Sequence, residues 1–330
     1  MVQHDARSIL ARSRRWIAVA AAVSALLYVA YGAVSGWRET GAALQRFQWW
    51  WTVPVLLTTL GNYGLRYVKW VLLLRQVGVR LAHRKNIPIY AIGLMMTLSP
   101  AKAGEVAKPW LVREVTGTPL VRTLPVLVAE RATDAIAILV LAAIGATTHA
   151  TEQVGLLAIA LGVIVVGLAL SQSALATSTA LMLVRRIPGL NRLAEPIEDM
   201  LEALRECLSP GSFAVAVGLS IAAWWLECVG TWLVLLGFGV DVSLGTATFI
   251  YAFATALGAI SPGGVGVTDA TLIQASQRLI VGVSLGTATA AALLLRIATL
   301  WFGVILGAIA LLGVNRWLED TPCTLPPPSS

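Results

Sequence analysis

Charge is missing from this chain where a soluble protein would need it. The runs Trp16–Val34, Phe213–Phe238 and Val283–Val314 are largely apolar and carry only Glu227 and Arg296 as charged residues. Roughly 20 apolar residues cross the hydrocarbon core of a bilayer as a helix, and no other open structure satisfies its own backbone there. The whole sequence agrees: 57% of residues are hydrophobic, 12% are charged and the mean hydropathy is +0.78. An ordinary soluble domain carries about twice that charge. The net charge of +7 therefore reads as topology rather than as a nucleic-acid surface. Cys207, Cys228 and Cys323 have no paired spacing, and His4, His83 and His149 are scattered. Neither a disulfide framework nor a metal site is indicated, and no cofactor is expected.

The expected fold is an all-α integral membrane protein over residues 16–315. The segment 1–15 supplies Arg7, Arg12, Arg14 and Arg15 as a cytoplasmic basic start. The run that follows could be a signal core, but it is long and lacks a small-x-small cleavage site, so it reads as a retained span. Further spans are expected at 49–74, 124–147, 154–170, 213–238 and 283–314, giving six full crossings. With the N-terminus inside, Arg80, Arg84, Lys85, Arg113, Arg122, Arg185, Arg186, Arg192, Arg205 and Arg316 are cytoplasmic. Only Arg38, Arg46 and Arg278 are then external. That asymmetry places both termini in the cytoplasm of a bacterial inner membrane. Residues 196–208 have the spacing of an amphipathic helix on the inner face, and 316–330 read as a disordered tail.

Two apolar stretches break instead of crossing. Residues 87–98 are too short to span and end in Ser99-Pro100; residues 244–260 end in Ser261-Pro262-Gly263-Gly264-Val265-Gly266. Both read as re-entrant hairpins, with kinked ordinary helices as the alternative. Their surroundings match. Tyr90 and Ser99-Pro100…Gly104 correspond to Tyr251 and Ser261-Pro262…Gly266. Val77-Gly78-Val79 corresponds to Phe238-Gly239-Val240, and Arg131-Ala132-Thr133 to Arg296-Ile297-Ala298-Thr299, all about 161–165 residues apart. An odd number of crossings lies between the copies, about 49–147 and 213–314. They would therefore form an inverted-topology repeat of the kind transporters use.

An ionisable side chain at the centre of a span costs about 2.5–3.5 kcal/mol. Asn62, Arg66 and Lys69 form one stripe on the second span, and Glu130, Arg131 and Asp134 sit in the next crossing. Lys102, Glu105 and Lys108 follow the first break, Asp269 follows the second, Arg296 lies deep in the last span and Glu227 lies in 213–238. They could pair among themselves, Arg131 with Glu105 and Arg296 with Asp269, while Arg66 and Lys69 snorkel inward. Alternatively, surplus cations face a wet cavity that takes an anionic group, helped by exposed amides of Gly263, Gly264 and Gly266.

Three motifs carry a resemblance: Ser99-Pro100-x-x-x-Gly104-Glu105, Glu130-Arg131-x-x-Asp134, and Pro262-Gly263-Gly264-x-Gly266 followed by Asp269. Together they resemble the flippase-like membrane domain of lysylphosphatidylglycerol synthases, over about residues 15 to 315. Asp269 stands where that family usually has Glu. No soluble aminoacyl-transferring domain is read in the sequence, so the resemblance implies lipid translocation rather than lipid aminoacylation.

Translocation of an anionic phospholipid or polyprenyl-linked lipid is thus the first expectation, with Arg66, Arg131 and Arg296 meeting the headgroup and the hairpins acting as gates. A membrane enzyme using Glu105, Glu130 or Asp269 as acid or base on a lipid-linked substrate is the second. A non-transporting partner of an envelope-biosynthesis enzyme is the third.

Overall fold

A computed structural model describes residues 37–99, 104–146, 151–173, 194–259 and 261–313, with isolated positions at 22–33, 178 and 182. The described residues form helices and turns, with no strand among them. Helix α1 (Trp37–Arg46) leads through a short 3-10 turn at Trp49–Trp51 into α2 (Thr52–Gln76). Then come α3 (His83–Met96), α4 (Ala107–Thr116), α5 (Leu120–Ala146) and α6 (Thr151–Gln172). The second half begins with α7 (Ala194–Cys207) and continues with α8 (Pro210–Gly237), α9 (Leu244–Gly258) and α10 (Val267–Leu279). It closes with α11 (Leu285–Arg296), a π-helical turn at Ile297–Trp301, and α12 (Phe302–Leu312) in one unbroken rod. The expected first span, the basic start, Lys102 and the C-terminal tail lie outside the described residues, apart from isolated helical positions in the first span.

Among the described residues, only α8 and the α11–α12 rod are both long and apolar enough to cross a membrane on length and composition alone. The long helices α2 and α5 carry buried charges, Lys69 on the first and Glu130 and Asp134 on the second. Their apolar character shows instead in what they leave outside. Val53, Leu57, Leu60 and Val68 on α2, Val128 and Ile144 on α5, and Ile305 and Ile309 on α12 are all exposed. So many large exposed apolar side chains have no place in water, but they suit a lipid-facing belt.

Helices α2 and α8 end in the same turn, each before a broken pair. Gly78 and Gly239 both take positive φ, at 78° and 72°, which a Cβ would resist. The Val79 amide donates to the Leu74 carbonyl at 2.9 Å, and the Val240 amide to the Leu235 carbonyl at 3.1 Å. At each break a serine hydroxyl turns back on the preceding helix: Ser99 to the Met96 carbonyl at 2.8 Å, Ser261 to the Gly258 carbonyl at 3.1 Å.

The packing crosses between halves. Helix α2 lies along α8, and the Asn62 side-chain amide donates to the Ala223 carbonyl at 2.8 Å where they meet. Helix α3 packs on α12 of the second half, and α9 packs on α5 of the first. One glycine opens each contact. A Cβ at Gly145 would come within 2.8 Å of the Phe249 backbone, and one at Gly307 would meet Ala91 and Met95. Each of two apolar clusters accordingly mixes residues of both halves: Trp70, Ile89 and Met95 with Val304, and Ile250, Ile273 and Leu295 with Leu139 and Ala142.

Helix α7 is not a free surface helix. Ala203 and Cys207 are buried where it packs on α5, and Arg122 of α5 reaches Glu206 at 3.2 Å. Met200 stays on the exposed side.

Candidate functional site

The sequence-marked charges separate into two groups. The larger is a closed ionic network among α2, α4, α5 and α8. Lys69, with no exposed surface, places its ammonium 2.5 Å from Asp134 Oδ1, 2.8 Å from Ser220 Oγ and 3.2 Å from the Glu130 carbonyl. The same Asp134 oxygen accepts from Trp224 Nε1 at 3.0 Å. Lys108 meets Glu130 Oε2 at 2.5 Å and lies over the Trp70 ring. Arg131 bridges Glu105 at 3.4 Å, Glu130 at 3.3 Å and Asp134 at 3.4 Å. A buried amine is tolerated in such a setting because every donor finds an oxygen. Lys69 therefore does not snorkel; the nearby carboxylate holds it inside.

The second group surrounds a cavity of about 110 Å³ between the halves. Asn62, Tyr63 and Arg66 of α2 face Trp224 and Glu227 of α8 across it. Tyr251, Gly263, Gly264, Thr268, Arg296 and Thr299 close its far side. A water occupies about 30 Å³, so the space suits a few waters or one phosphoryl-sized group rather than a whole headgroup with its glycerol. Arg66 lies over Trp224 at 5.2 Å and is 3.7 Å from Asp134 Oδ2, and its Nε has no hydrogen-bond partner. Glu227 is 3% exposed, and its Oε2 also lacks a partner. Arg296 donates to the Gly263 carbonyl at 2.5 Å and lies 3.1 Å from Asp269 Oδ1.

Both pairings expected from the sequence, Arg131 with Glu105 and Arg296 with Asp269, are present. Of the proposed site residues, the cavity gathers Asn62, Arg66, Gly263, Gly264 and Arg296. Lys69, Glu105, Lys108, Glu130, Arg131 and Asp134 belong to the adjoining network instead, and Pro262, Gly266 and Asp269 do not line the cavity. One expectation is corrected. The amides of Gly264 and Gly266 are not free for an anion: Gly264 donates to the Ser261 carbonyl at 3.0 Å, and Gly266 donates to Asp269 Oδ2 at 2.9 Å. The tight turn and the capping carboxylate use them up.

Sequence reasoning left Tyr63, Trp224 and Thr268 unmarked, and treated Tyr251 and Thr299 only as repeat markers. The Tyr63 hydroxyl bonds the Thr299 carbonyl, within the π turn that shifts the hydrogen-bond register of the rod. Trp224 bonds Asp134. Tyr63 and Trp224 stand at the same offset as the matched glycine turns, and Asp134 and Thr299 at the offset of the two arginines. Extending the repeat by those residues would have found the pair.

Helices with lipid-facing apolar surfaces and a polar cavity between two halves define a helical membrane protein. The family described as the lysylphosphatidylglycerol synthase TM region matches residues 15–307, and the chain belongs to that family. Two similarities to proteins of Methanothermobacter thermautotrophicus (strain ATCC 29096 / DSM 1053 / JCM 10044 / NBRC 100330 / Delta H), each named a UPF0104 membrane protein, accompany it. One is 32% identical over 36% of this chain and 35% of the relative; the other is 22% identical over 74% of this chain and 79% of the relative. In the first match, then, the chain spans about a third of the relative's length. The family is one associated with lipid handling.

Proposed function

We propose that this protein moves an anionic lipid between leaflets of a bacterial inner membrane. The headgroup would pass through the cavity between the halves while the acyl chains remain in the bilayer. The observation that carries this reading is Arg66. It is a guanidinium, 12% exposed, that lines the cavity with an unpartnered Nε and a long contact to its nearest carboxylate. A guanidinium with spare donors is suited to a phosphoryl oxygen. Arg131, whose Nε also lacks a hydrogen-bond partner, is held by three carboxylates at 3.3–3.4 Å and does not line the cavity, so it is assigned a bracing role rather than contact with the headgroup.

An inverted duplication is part of the proposal. It is supported by the matched glycine turns, the matched serine breaks and the crosswise packing of α3 on α12 and α9 on α5. In such a protein the two broken pairs rock about the central α2–α8 contact and open the cavity to each side in turn. Both termini would be cytoplasmic, and the lipid would emerge chemically unchanged. No metal or organic cofactor enters the scheme.

The test is reconstitution in liposomes with fluorescent phosphatidylglycerol and, separately, a polyprenyl phosphate. Wild-type vesicles should translocate at least one of them faster than empty vesicles. Arg66→Gln should slow it roughly tenfold to hundredfold, the worth of one charge-assisted hydrogen bond. Translocation no faster than in empty vesicles contradicts the reading. A covalently altered lipid on mass analysis would favour an enzyme instead.

A further inference from the structure

We propose that Glu227 is a proton-binding site that couples proton movement to the anionic cargo. The inference rests on the function proposed above and adds the coupling ion. Helix α8 is otherwise uncharged, and a lone carboxylate in its middle has a cost that packing alone does not offset. Glu227 does not join the neighbouring ionic network. It lines the cavity with Arg66 and Arg296, 3% exposed, and its Oε2 is without a partner. Its position on α8 corresponds, at the repeat offset, to that of Arg66 on α2. The two helices meet just beside these residues, at Asn62 and Ala223.

The groups facing it can be named element by element. Helix α2 presents Tyr63 and Arg66, α9 presents Tyr251, and the end of α11 presents Arg296. Cys228 follows it on α8 itself. Asp134 of α5 is occupied by Lys69 and Trp224 a turn away, and Asp269 of α10 by Arg296. With the cavity empty of anions, the carboxylate is the counter-charge to two guanidinia. An anion arriving among the same groups competes for those guanidinia and repels the carboxylate within the same small space. The cavity is relieved when Glu227 takes a proton from water and becomes the neutral acid. On release of the anion that proton returns to water, on whichever side the cavity is open. One anionic headgroup would therefore travel with one proton. An imposed pH gradient would then drive accumulation in one leaflet.

The experiment titrates full-length protein in detergent with dioctanoyl phosphatidylglycerol and with farnesyl phosphate. Calorimetry in two buffers of different ionisation enthalpy gives the protons taken up per ligand. Wild type should take up about one proton per anion bound near pH 8. Glu227→Gln should take up none and bind about tenfold more tightly or better, having lost a like-charge neighbour. Glu227→Asp, which keeps a carboxyl group, should restore uptake and guards against a folding defect in the first variant. Binding without proton uptake in the wild type, or undiminished uptake in Glu227→Gln, overturns the coupling and leaves lipid binding standing. Failure of both probes to bind overturns the functional reading and the coupling together.

Discussion

At the scale of single residues, most of the charge in the membrane is structural. Lys69 has four oxygen neighbours and no exposed surface, so removing it leaves Asp134 buried with fewer partners. Lys69→Met should destabilise the protein by about 3–5 kcal/mol, whereas Lys69→Met with Asp134→Asn should lose clearly less than the sum of the singles. Thermal unfolding in detergent, followed by loss of monodisperse protein, checks this; additive losses would mean the two residues are not a unit. The sequence marked these residues because charge in a span always needs a reason. It could not sort them, because whether Lys69 pairs or snorkels depends on which helix lies opposite. Asp134 decides that from α5, and nothing in the spacing of Asn62, Arg66 and Lys69 reveals it.

At the scale of elements, the breaks and turns were legible because glycine, proline and serine act locally. Ser99 and Ser261 behave alike, and Gly78 and Gly239 take the conformation their positions require. The amphipathic pattern of α7 was legible as a helix, but its packing partner was not. Its docking on α5 depends on small buried residues, Ala203 and Cys207, which carry little hydrophobic signal. Two predictions belong here. Gly145→Ala and Gly307→Ala should each cost about 1–3 kcal/mol, since the added methyl meets backbone rather than a movable side-chain end. The same thermal assay reads the effect; unchanged stability in either would contradict the close approach of α9 to α5 or of α12 to α3. The Cys207 thiol is pushed up to about 12, chiefly by burial and then by Glu206. The reactive thiolate is therefore scarce at pH 8. In a protein lacking the other cysteines, maleimide labelling of Cys207 should run at least tenfold slower than in detergent-denatured protein. Labelling at the free-thiol rate would mean that α7 is not docked.

At the scale of the whole molecule, the halves are interlocked rather than side by side. Val304 completes a cluster built around Trp70 and Ile89, while Leu139 and Ala142 complete one built around Ile250 and Ile273. Among the described residues, groups of both halves face each other across the cavity, Arg66, Glu227 and Arg296 foremost. Membrane class and family were readable from apolar runs and three short motifs. The cavity was not, because Tyr63, Trp224 and Thr299 come together only when the halves close on one another. That the phosphoryl group of an anionic lipid is held there is the central claim. Native mass spectrometry of the protein purified from its membrane tests it most directly. Wild type should retain a phosphate-bearing anionic lipid that Arg66→Gln loses. Retention of the same lipid by both proteins, or of neutral and zwitterionic lipids alone, would contradict it.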